Sequence, residues 1–290
     1  MELRLLRYFW TVATVGTVSQ AAEQLFITQP TLYRQIHELE LELDTPLFIR
    51  DGRKLVLTED GQYLKNKAEE ILSLADQTTE VFLNRKNEAL VGNLTIGALE
   101  GFVADDIAVA LAQLLKANPL ITFTILSGNA DEIKQKLDAG LVDVGFLIEP
   151  VSSEKYSVER LDVTERWLLM TQKDNPLAAK KTIRYDDIKD EPLIISHRAE
   201  VRRFFAEWAK CKLEDFHFIG GFNLGFNLFP LVDEGIGSAI VTEGAMRRGF
   251  PDLVTIPLEP EVKTHSVLVW KKNAPLSPVT RAFIKQYLYE

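Results

Sequence analysis

Apolar residues recur every three or four positions along the N-terminal part of the chain, and this spacing predicts three amphipathic helices. The first begins at Leu3 and stops near Gly16. Thr17 precedes the second helix and, with Gln20 three residues later, has the pattern of a capping box. Thr28 is positioned to cap the third helix. That helix is expected to bury a single stripe, formed by Leu32, Ile36, Leu39 and Leu43.

The third helix has a polar side opposite this stripe, because a rotation of about 100° per residue places Arg34 and His37 there. A short helix, a tight turn and a longer helix with a polar outer face are typical of a helix-turn-helix, whose second helix enters the major groove. Periodicity alone leaves an ordinary three-helix bundle with a solvated face equally open. The candidate DNA-contacting residues are Thr17, Ser19, Gln29, Pro30, Thr31, Tyr33 and Arg34.

A predicted β-hairpin follows the third helix. Residues 47–50 and 54–57 flank an Asp51-Gly52 pair, which favours a tight hairpin turn. Arg50, Arg53 and Lys54 lie at or beside the tip, where cations suit contact with phosphates or the minor groove. A soluble turn of mixed charge is the alternative interpretation.

The next segment, residues 59–88, is predicted to be one long helix that begins after a Thr58 cap with Glu59 and Asp60 in its first turn. Apolar or small residues recur along it with the alternating steps of four and three that are typical of a coiled-coil seam. We expect this seam to pair two copies of the chain, rather than to cover a globular domain. The seam consists of Leu64, Ala68, Ile71, Ala75, Thr78 and Phe82.

Short β-rich runs alternate with helical stretches over residues 92–290, and this order predicts an α/β domain of two open, mostly parallel sheets. The first lobe is expected over about 92–161 and 268–290, and the second over about 162–267. Ligands of such sheets bind at the carboxyl ends of the strands, so a cleft between the lobes is a second candidate site. The expected cleft residues are Leu99, Glu100, Gly101, Phe102, Glu149, Ser196, His197, Asn223, Leu224 and Thr242.

The charge of the chain opposes DNA binding, because the formal net charge is -9 and the sequence pI is about 5.2. Residues 1–58 contain six basic and seven acidic residues, which gives this region a formal net charge of -1. Only the placement of the cations supports a nucleic-acid partner.

Several classes of protein are excluded or disfavoured by the sequence. The single cysteine, Cys211, permits no intrachain disulfide, and no apolar run is long enough to span a bilayer. The first residues lack the pattern of a signal peptide, so we expect a cytoplasmic protein without a membrane partner. Sequence motifs of hydrolases, zinc proteases and P-loop proteins are absent, and the four histidines are scattered. The sequence therefore predicts no catalytic site, no metal and no cofactor; Cys211 with His217 as a nucleophile and base is the disfavoured alternative.

An ordered pattern of residues runs through the N-terminal region. It consists of Leu6, Phe9, Ala21, Ala22 and Leu25, then Thr28-Gln29-Pro30-Thr31, Arg34-Gln35-Ile36, Leu39-Glu40, Pro46-Leu47-Phe48, Arg50 and Leu57-Thr58. This pattern resembles the winged helix-turn-helix of LysR-type transcriptional regulators. The resemblance implies that Gln29, Pro30 and Arg34 face DNA, with Tyr33 at a position where the family commonly has Ser. It also implies that the linker helix pairs two subunits on a partly palindromic promoter site.

Residues 127–129 and 141–145 resemble the corresponding parts of the family's effector domain, which is similar to periplasmic binding proteins. The family usually places small hydroxyl residues after the first strand of this domain to hold an effector carboxylate. Here Leu99, Glu100 and Gly101 stand there, and a carboxylate at Glu100 would repel an anionic effector unless His197 or Arg198 compensates. We therefore expect a neutral or amine-bearing effector, or a cleft filled by its own side chains. In the alternative, Glu100 only favours the N-terminus of the following helix.

Two functions follow from these patterns. The first is a sequence-specific DNA-binding transcriptional regulator that is modulated by a small effector, forms a homodimer or homotetramer and has RNA polymerase as a further candidate partner. The second is an α/β small-molecule-binding protein or enzyme with an N-terminal helical assembly module. Steep loss of duplex affinity with salt would favour the first.

Overall fold

The computed structural model describes residues 1–51, 54–86, 89–246 and 252–289. The chain divides into two compact units, one of residues 1–88 with 139–141 and one of residues 89–138 with 142–290. No helix among these described ranges is long and apolar enough to cross a membrane.

Three helices form the base of the N-terminal unit, as the spacing of apolar residues predicts: α1 (Leu3–Val15), α2 (Val18–Gln24) and α3 (Gln29–Leu43). Gly16 ends α1 with a φ of 82°, a left-handed conformation that glycine adopts without steric cost. The Thr28 hydroxyl accepts a hydrogen bond from the Thr31 N–H at 3.4 Å and caps α3, with Pro30 in the first turn. The shared core includes the fully buried Leu6, Phe9, Leu32 and Leu39.

Two local predictions are wrong. The Thr17 hydroxyl donates to the Gln20 side chain at 2.8 Å and caps no backbone N–H, so the expected capping box does not form. Leu43 is 37% exposed, because the buried stripe of α3 ends at Leu39 and Leu43 is the last residue of the helix.

A two-stranded wing follows α3. Strands β1 (Phe48–Asp51) and β2 (Lys54–Leu57) pair in antiparallel fashion, with Asp51 opposite Lys54. One Glu40 oxygen accepts the N–H groups of Leu47 and Phe48 at 2.8 and 3.2 Å, which fixes the wing to α3.

The helix α4 (Glu59–Lys86) begins where the sequence predicts, since the Thr58 hydroxyl accepts the Gly61 N–H at 2.9 Å. The buried face of its first half belongs to the core of the N-terminal unit. Leu64, Ala68 and Leu72 pack there. The first half of α4 is therefore part of the winged helix-turn-helix fold.

The C-terminal unit alternates strands and helices. Its elements, in chain order, are β3 (Gly92–Ala98), α5 (Val103–Ala117), β4 (Ile121–Ser127), α6 (Ala130–Ala139), β5 (Val144–Ile148), β6 (Tyr156–Gln172), α7 (Tyr185–Ile188), β7 (Leu193–Ser196), α8 (Ala199–Ala209), β8 (Phe218–Phe222), α9 (Leu228–Asp233), β9 (Ser238–Thr242), β10 (Leu253–Pro257), β11 (Lys263–Lys271) and α10 (Pro278–Tyr289).

Two lobes share one continuous path of strands in the order β4-β3-β5-β11-β6-β9-β7-β8, and β10 pairs with β6. In each lobe three strands run parallel, β4-β3-β5 in the first and β8-β7-β9 in the second. The first half of β6 pairs with β11, and its second half pairs with β9 and β10. The strands β6 and β11 thus cross between the lobes, and α10 packs with α5 in the first lobe.

The sequence interpretation missed the first half of β6, together with β10 and α7. The missed half of β6 carries five charged residues among its apolar ones, Glu159, Arg160, Asp162, Glu165 and Arg166, which hide the strand pattern. Residues 224–234 do not form one continuous helix, because a single 3₁₀ turn over Gly225–Asn227 precedes α9.

Candidate functional site

The outer face of α3 carries most of the residues predicted to contact DNA. Gln29, Pro30, Tyr33 and Arg34 are exposed, whereas Thr31 is half-buried. The Tyr33 side chain is 57% exposed even though its neighbour Leu32 is fully buried. One helical turn therefore anchors α3 in the core and presents a polar surface to solvent.

The start of α3 is tied to α2. The Ser19 hydroxyl donates to the Gln29 side-chain oxygen at 3.2 Å, and the hydroxyls of Thr28 and Thr31 lie 2.8 Å apart. Thr17 is exposed at the start of α2. These contacts fix the orientation of the first turn of α3 relative to α2.

The predicted cations of the wing are only partly within the described part of the chain. Arg50 and Lys54 lie at paired strand positions, opposite Leu55 and Asp51. Arg53 lies outside the described residues.

The predicted seam of α4 separates into two surfaces. Leu64 and Ala68 are buried in the core of their own unit, so their assignment to a dimer contact is wrong. The remaining seam positions, Ile71, Ala75, Thr78 and Phe82, are exposed or half-buried. Packing against α1 occupies the first half of the helix and leaves these positions on the second half.

A cavity of about 340 Å³ lies at the carboxyl ends of the parallel strands, between the two lobes. This is where the α/β topology predicts a ligand site. Its lining includes the predicted residues Leu99, Glu100, Glu149, Ser196, Asn223, Leu224 and Thr242. The expectation that side chains of the protein fill the cleft is wrong.

Three predicted cleft residues do not line the cavity. Gly101 and Phe102 are not among the lining residues and lie next to Glu165. The Phe102 N–H donates to a Glu165 oxygen at 2.6 Å. The exposed His197 ring places Nδ1 3.0 Å from the Phe222 carbonyl oxygen. It is therefore held beside β8, outside the cavity.

Sequence reasoning missed the lining residues that α8 and β6 supply. Val201 and Phe204 of α8 and Trp167 of β6 contribute apolar surface, whereas Arg198, which precedes α8 and also lines the cavity, was expected at the cleft. The amphipathic pattern of α8 could have indicated the helix face that lines the cavity. The position of Trp167 at the cavity depends on the crossing of β6 between the lobes, which the local sequence does not indicate.

An ion pair bridges the two lobes beside the cavity. Arg198 donates from Nε to Asp131 Oδ2 at 3.0 Å and from Nη2 to Oδ1 at 3.5 Å. Burial raises the pKa of Asp131, but the bonds from Arg198 and Lys134 outweigh burial and hold this pKa below its usual value. Asp131 belongs to α6 of the first lobe, so this pair joins the two walls.

Two further carboxylates join the lobes through backbone groups. Glu100 accepts the N–H of Gly225 at 2.9 Å. Glu165 is 1% exposed and accepts the N–H of Phe102 at one oxygen and of Gly244, at 2.8 Å, at the other. A Cβ at Gly101 or Gly244 would lie 2.4 Å from Glu165 Oε1, so both glycines are needed for this close approach.

A second ion pair supports the turn after β9. Arg166 donates to Glu243 from Nε at 2.8 Å and from Nη2 at 2.5 Å. The hydrogen bonds and charge of Arg166 hold the pKa of Glu243 below its usual range. This pair positions the strand end that carries Thr242 at the cavity.

The described side chains offer no cluster of three or more His, Cys, Asp or Glu residues that could hold a metal ion. Cys211 is a partly exposed free thiol.

Two family models match the chain. The model described as "LysR substrate binding domain" matches residues 87–289, and the model described as "Bacterial regulatory helix-turn-helix protein, lysR family" matches residues 3–62. The HTH-type transcriptional activator CmpR of Synechocystis sp. is 26% identical over 307 aligned residues, covering 99% of this chain and 94% of CmpR.

Solved structures show the same fold. The crystal structure of CbnR, a LysR family transcriptional regulator, superposes with a TM-score of 0.74 at 22% identity and covers 99% of this chain and 98% of CbnR. Full-length CbnR complexed with its target DNA gives a TM-score of 0.71, also at 22% identity, and covers 99% of each chain.

A winged helix-turn-helix joined by a long helix to a two-lobed domain with an interlobe cavity defines a DNA-binding transcriptional regulator with an effector-binding domain. The N-terminal helices are thus a DNA-binding domain and not only an assembly module, and the protein is a regulator rather than an enzyme. The chain belongs to the LysR family of bacterial transcriptional regulators.

Proposed function

We propose that this regulator reads a partly palindromic promoter site with α3 and that a small molecule in the interlobe cavity modulates the bound state. The observation that carries the proposal is the exposed polar face of α3, held on a fully buried stripe beside a wing. Gln29, Pro30, Tyr33 and Arg34 lie on this face, and Thr31 lies at its edge. The complex of CbnR with its target DNA, which shares this fold, supports the same use of the N-terminal domain.

The residues divide into two roles. Gln29, Tyr33 and Arg34 would contact base edges, because the first turns of a recognition helix enter the major groove. Thr17, Ser19 and the wing residues Arg50, Arg53 and Lys54 would contact the phosphates and fix the register. Because these wing cations would neutralise phosphates, duplex affinity should fall steeply as the salt concentration rises, although residues 1–58 carry a net charge of -1.

The second half of α4 would join two chains, in keeping with a two-fold symmetric operator. The exposed Ile71, Leu74 and Phe82 supply apolar surface for this contact, with Ala75 and Thr78 beside them. We place the DNA-binding domain at 1–58, the linker helix at 59–88 and the effector domain at 92–290, with the first half of the linker helix completing the core of the DNA-binding domain. Tetramer formation through the effector domains, a contact with RNA polymerase and a cytoplasmic location complete the proposal.

Selection of bound duplexes from a random DNA pool at moderate salt tests this function. The full chain should enrich a partly palindromic motif, and Arg34→Ala should lose it. The matched control is Arg4→Ala, since Arg4 is also an exposed arginine of the N-terminal unit but lies on α1 and pairs with Glu2. Equal enrichment by wild type and Arg34→Ala would contradict the assignment of α3 as the reading helix.

A further inference from the structure

The walls of the interlobe cavity are mostly apolar. Trp167, Phe204, Phe222 and Phe229 contribute aromatic rings, and Leu99 and Ile148 add aliphatic surface. A cavity of about 340 Å³ with such walls suits a ligand with an apolar, aromatic body.

The principal cation of the cavity is already engaged. Arg198, whose side chain is 13% exposed, donates to Asp131 across the cleft. An anionic ligand would have to separate this pair and leave Asp131 with Lys134, 2.7 Å away, as its remaining partner.

The other lining cation, Arg203, lies between two carboxylates of the same helix. Glu200 precedes it by three residues and Glu207 follows it by four, and both also line the cavity. Side chains at these spacings are neighbours on a helix surface. Arg203 takes part in no ion pair within the described ranges, but these carboxylates offset its charge locally.

The first lobe supplies two more carboxylates. Glu100 and Glu149 follow the neighbouring parallel strands β3 and β5, so they lie on the same wall. Glu149 accepts the His265 N–H at 3.2 Å and pairs with Arg160 at 3.3 Å. Glu100 accepts only the Gly225 N–H, and its other oxygen has no hydrogen-bond partner in the described part of the chain.

The titratable lining residues therefore comprise four carboxylates and two guanidinium groups, a net charge of -2. We propose that the effector is an apolar, preferably aromatic molecule that carries an amine, and that Glu100 accepts a hydrogen bond from its ammonium group. This inference rests on the cavity being the effector site of the proposed function. It specifies the ligand by charge and shape: a cation at the wall of the first lobe and a ring against the aromatic side chains.

Isothermal titration calorimetry of the full chain with three molecules of similar shape tests the proposal. The probes are 2-phenylethylammonium, 2-phenylethanol and phenylacetate. We expect the ammonium compound to bind about tenfold more tightly than the alcohol or the carboxylate, since an ion-pair hydrogen bond is stronger than a neutral one. Glu100→Gln keeps an acceptor for Gly225 and should reduce this preference to near unity. The control Glu154→Gln, at an exposed position outside the cavity, should keep it.

Tightest binding of phenylacetate, an unchanged amine preference in Glu100→Gln, or binding of none of the three at millimolar concentration would overturn the proposal. The duplex selection on the same preparations keeps the two proposals distinguishable. An enriched motif together with no amine preference overturns the ligand class alone, whereas amine binding without any enriched motif counts against the proposed DNA reading.

Discussion

Arg198 donates from Nε to Asp131 Oδ2 at 3.0 Å, and this contact links α6 of the first lobe to the start of α8 in the second. Asp131→Asn removes the charge of one partner and should lower the free energy of unfolding by about 1 kcal/mol or less, because Asp131 is partly exposed. Chemical denaturation of the full chain measures the change. Glu200→Gln, which alters a carboxylate 3.8 Å from the same guanidinium, is the control and should have a smaller effect.

The pH dependence of this difference follows from the pKa of Asp131, which lies below its usual value of 3.8 in the folded protein. A depressed carboxyl pKa stabilises the fold fully above the unfolded-state pKa, and this contribution is lost as the pH falls through the folded-state pKa. The difference between wild type and Asp131→Asn should therefore stay constant above about pH 5 and shrink below about pH 4. A difference that grows as the pH falls would contradict this assignment.

Two leucines of α4 test which of its faces is buried in the N-terminal unit and which is open to a second chain. Leu72 is 5% exposed in the core of the N-terminal unit, whereas Leu74 is 65% exposed. Leu72→Ala should destabilise the N-terminal unit by about 2–4 kcal/mol, because it leaves a cavity. Leu74→Ala should leave the unfolding of that unit nearly unchanged and weaken self-association in sedimentation experiments. Equal destabilisation by both substitutions would show that the helix buries a different face.

Because the buried Glu165 carboxylate accepts the backbone N–H groups of Phe102 and Gly244, even a methyl side chain at Gly244 has no room. A Cβ there would lie 2.4 Å from Glu165 Oε1 and 2.5 Å from the Phe102 nitrogen. Gly244→Ala should therefore lower the midpoint of thermal unfolding by several degrees and cost about 2 kcal/mol or more, since either the buried carboxylate or the Phe102 backbone must move. Gly220→Ala is the matched control, because its Cβ would meet only ordinary contacts at 3.6 and 3.9 Å. An unchanged free energy of unfolding in Gly244→Ala would contradict this arrangement of Glu165 with Phe102 and Gly244.

Tyr33 should influence which sequence is bound without influencing stability. Its ring is exposed on the outer face of α3, so Tyr33→Ser should change the free energy of unfolding by less than about 0.5 kcal/mol. The duplexes enriched by Tyr33→Ser should differ from those of wild type at one or two positions in each half-site. An identical enriched motif would place Tyr33 away from the bases.

The local elements were largely predictable, and the long-range pairings were not. Caps such as Thr28 and Thr58 act within one turn, so the sequence places α3 and α4 correctly. The burial of Leu64 and Ala68 depends on where α1 packs, which helical periodicity does not contain. The same limit applies to the cleft. Strand ends predict Glu100 and Thr242, but the pairing of Arg198 with Asp131 appears only when the lobes are folded together.

The capped start of α4 and the burial of Leu72 have a practical consequence for engineering. A chimera that grafts another effector domain onto this DNA-binding domain at Thr58 would remove Leu64, Ala68 and Leu72 from the core that holds α1. The splice therefore belongs beyond Leu72, in the exposed part of the helix. If residues are added or removed beyond that point in multiples of seven, the grafted half of the helix keeps its rotational orientation relative to the DNA-binding domain.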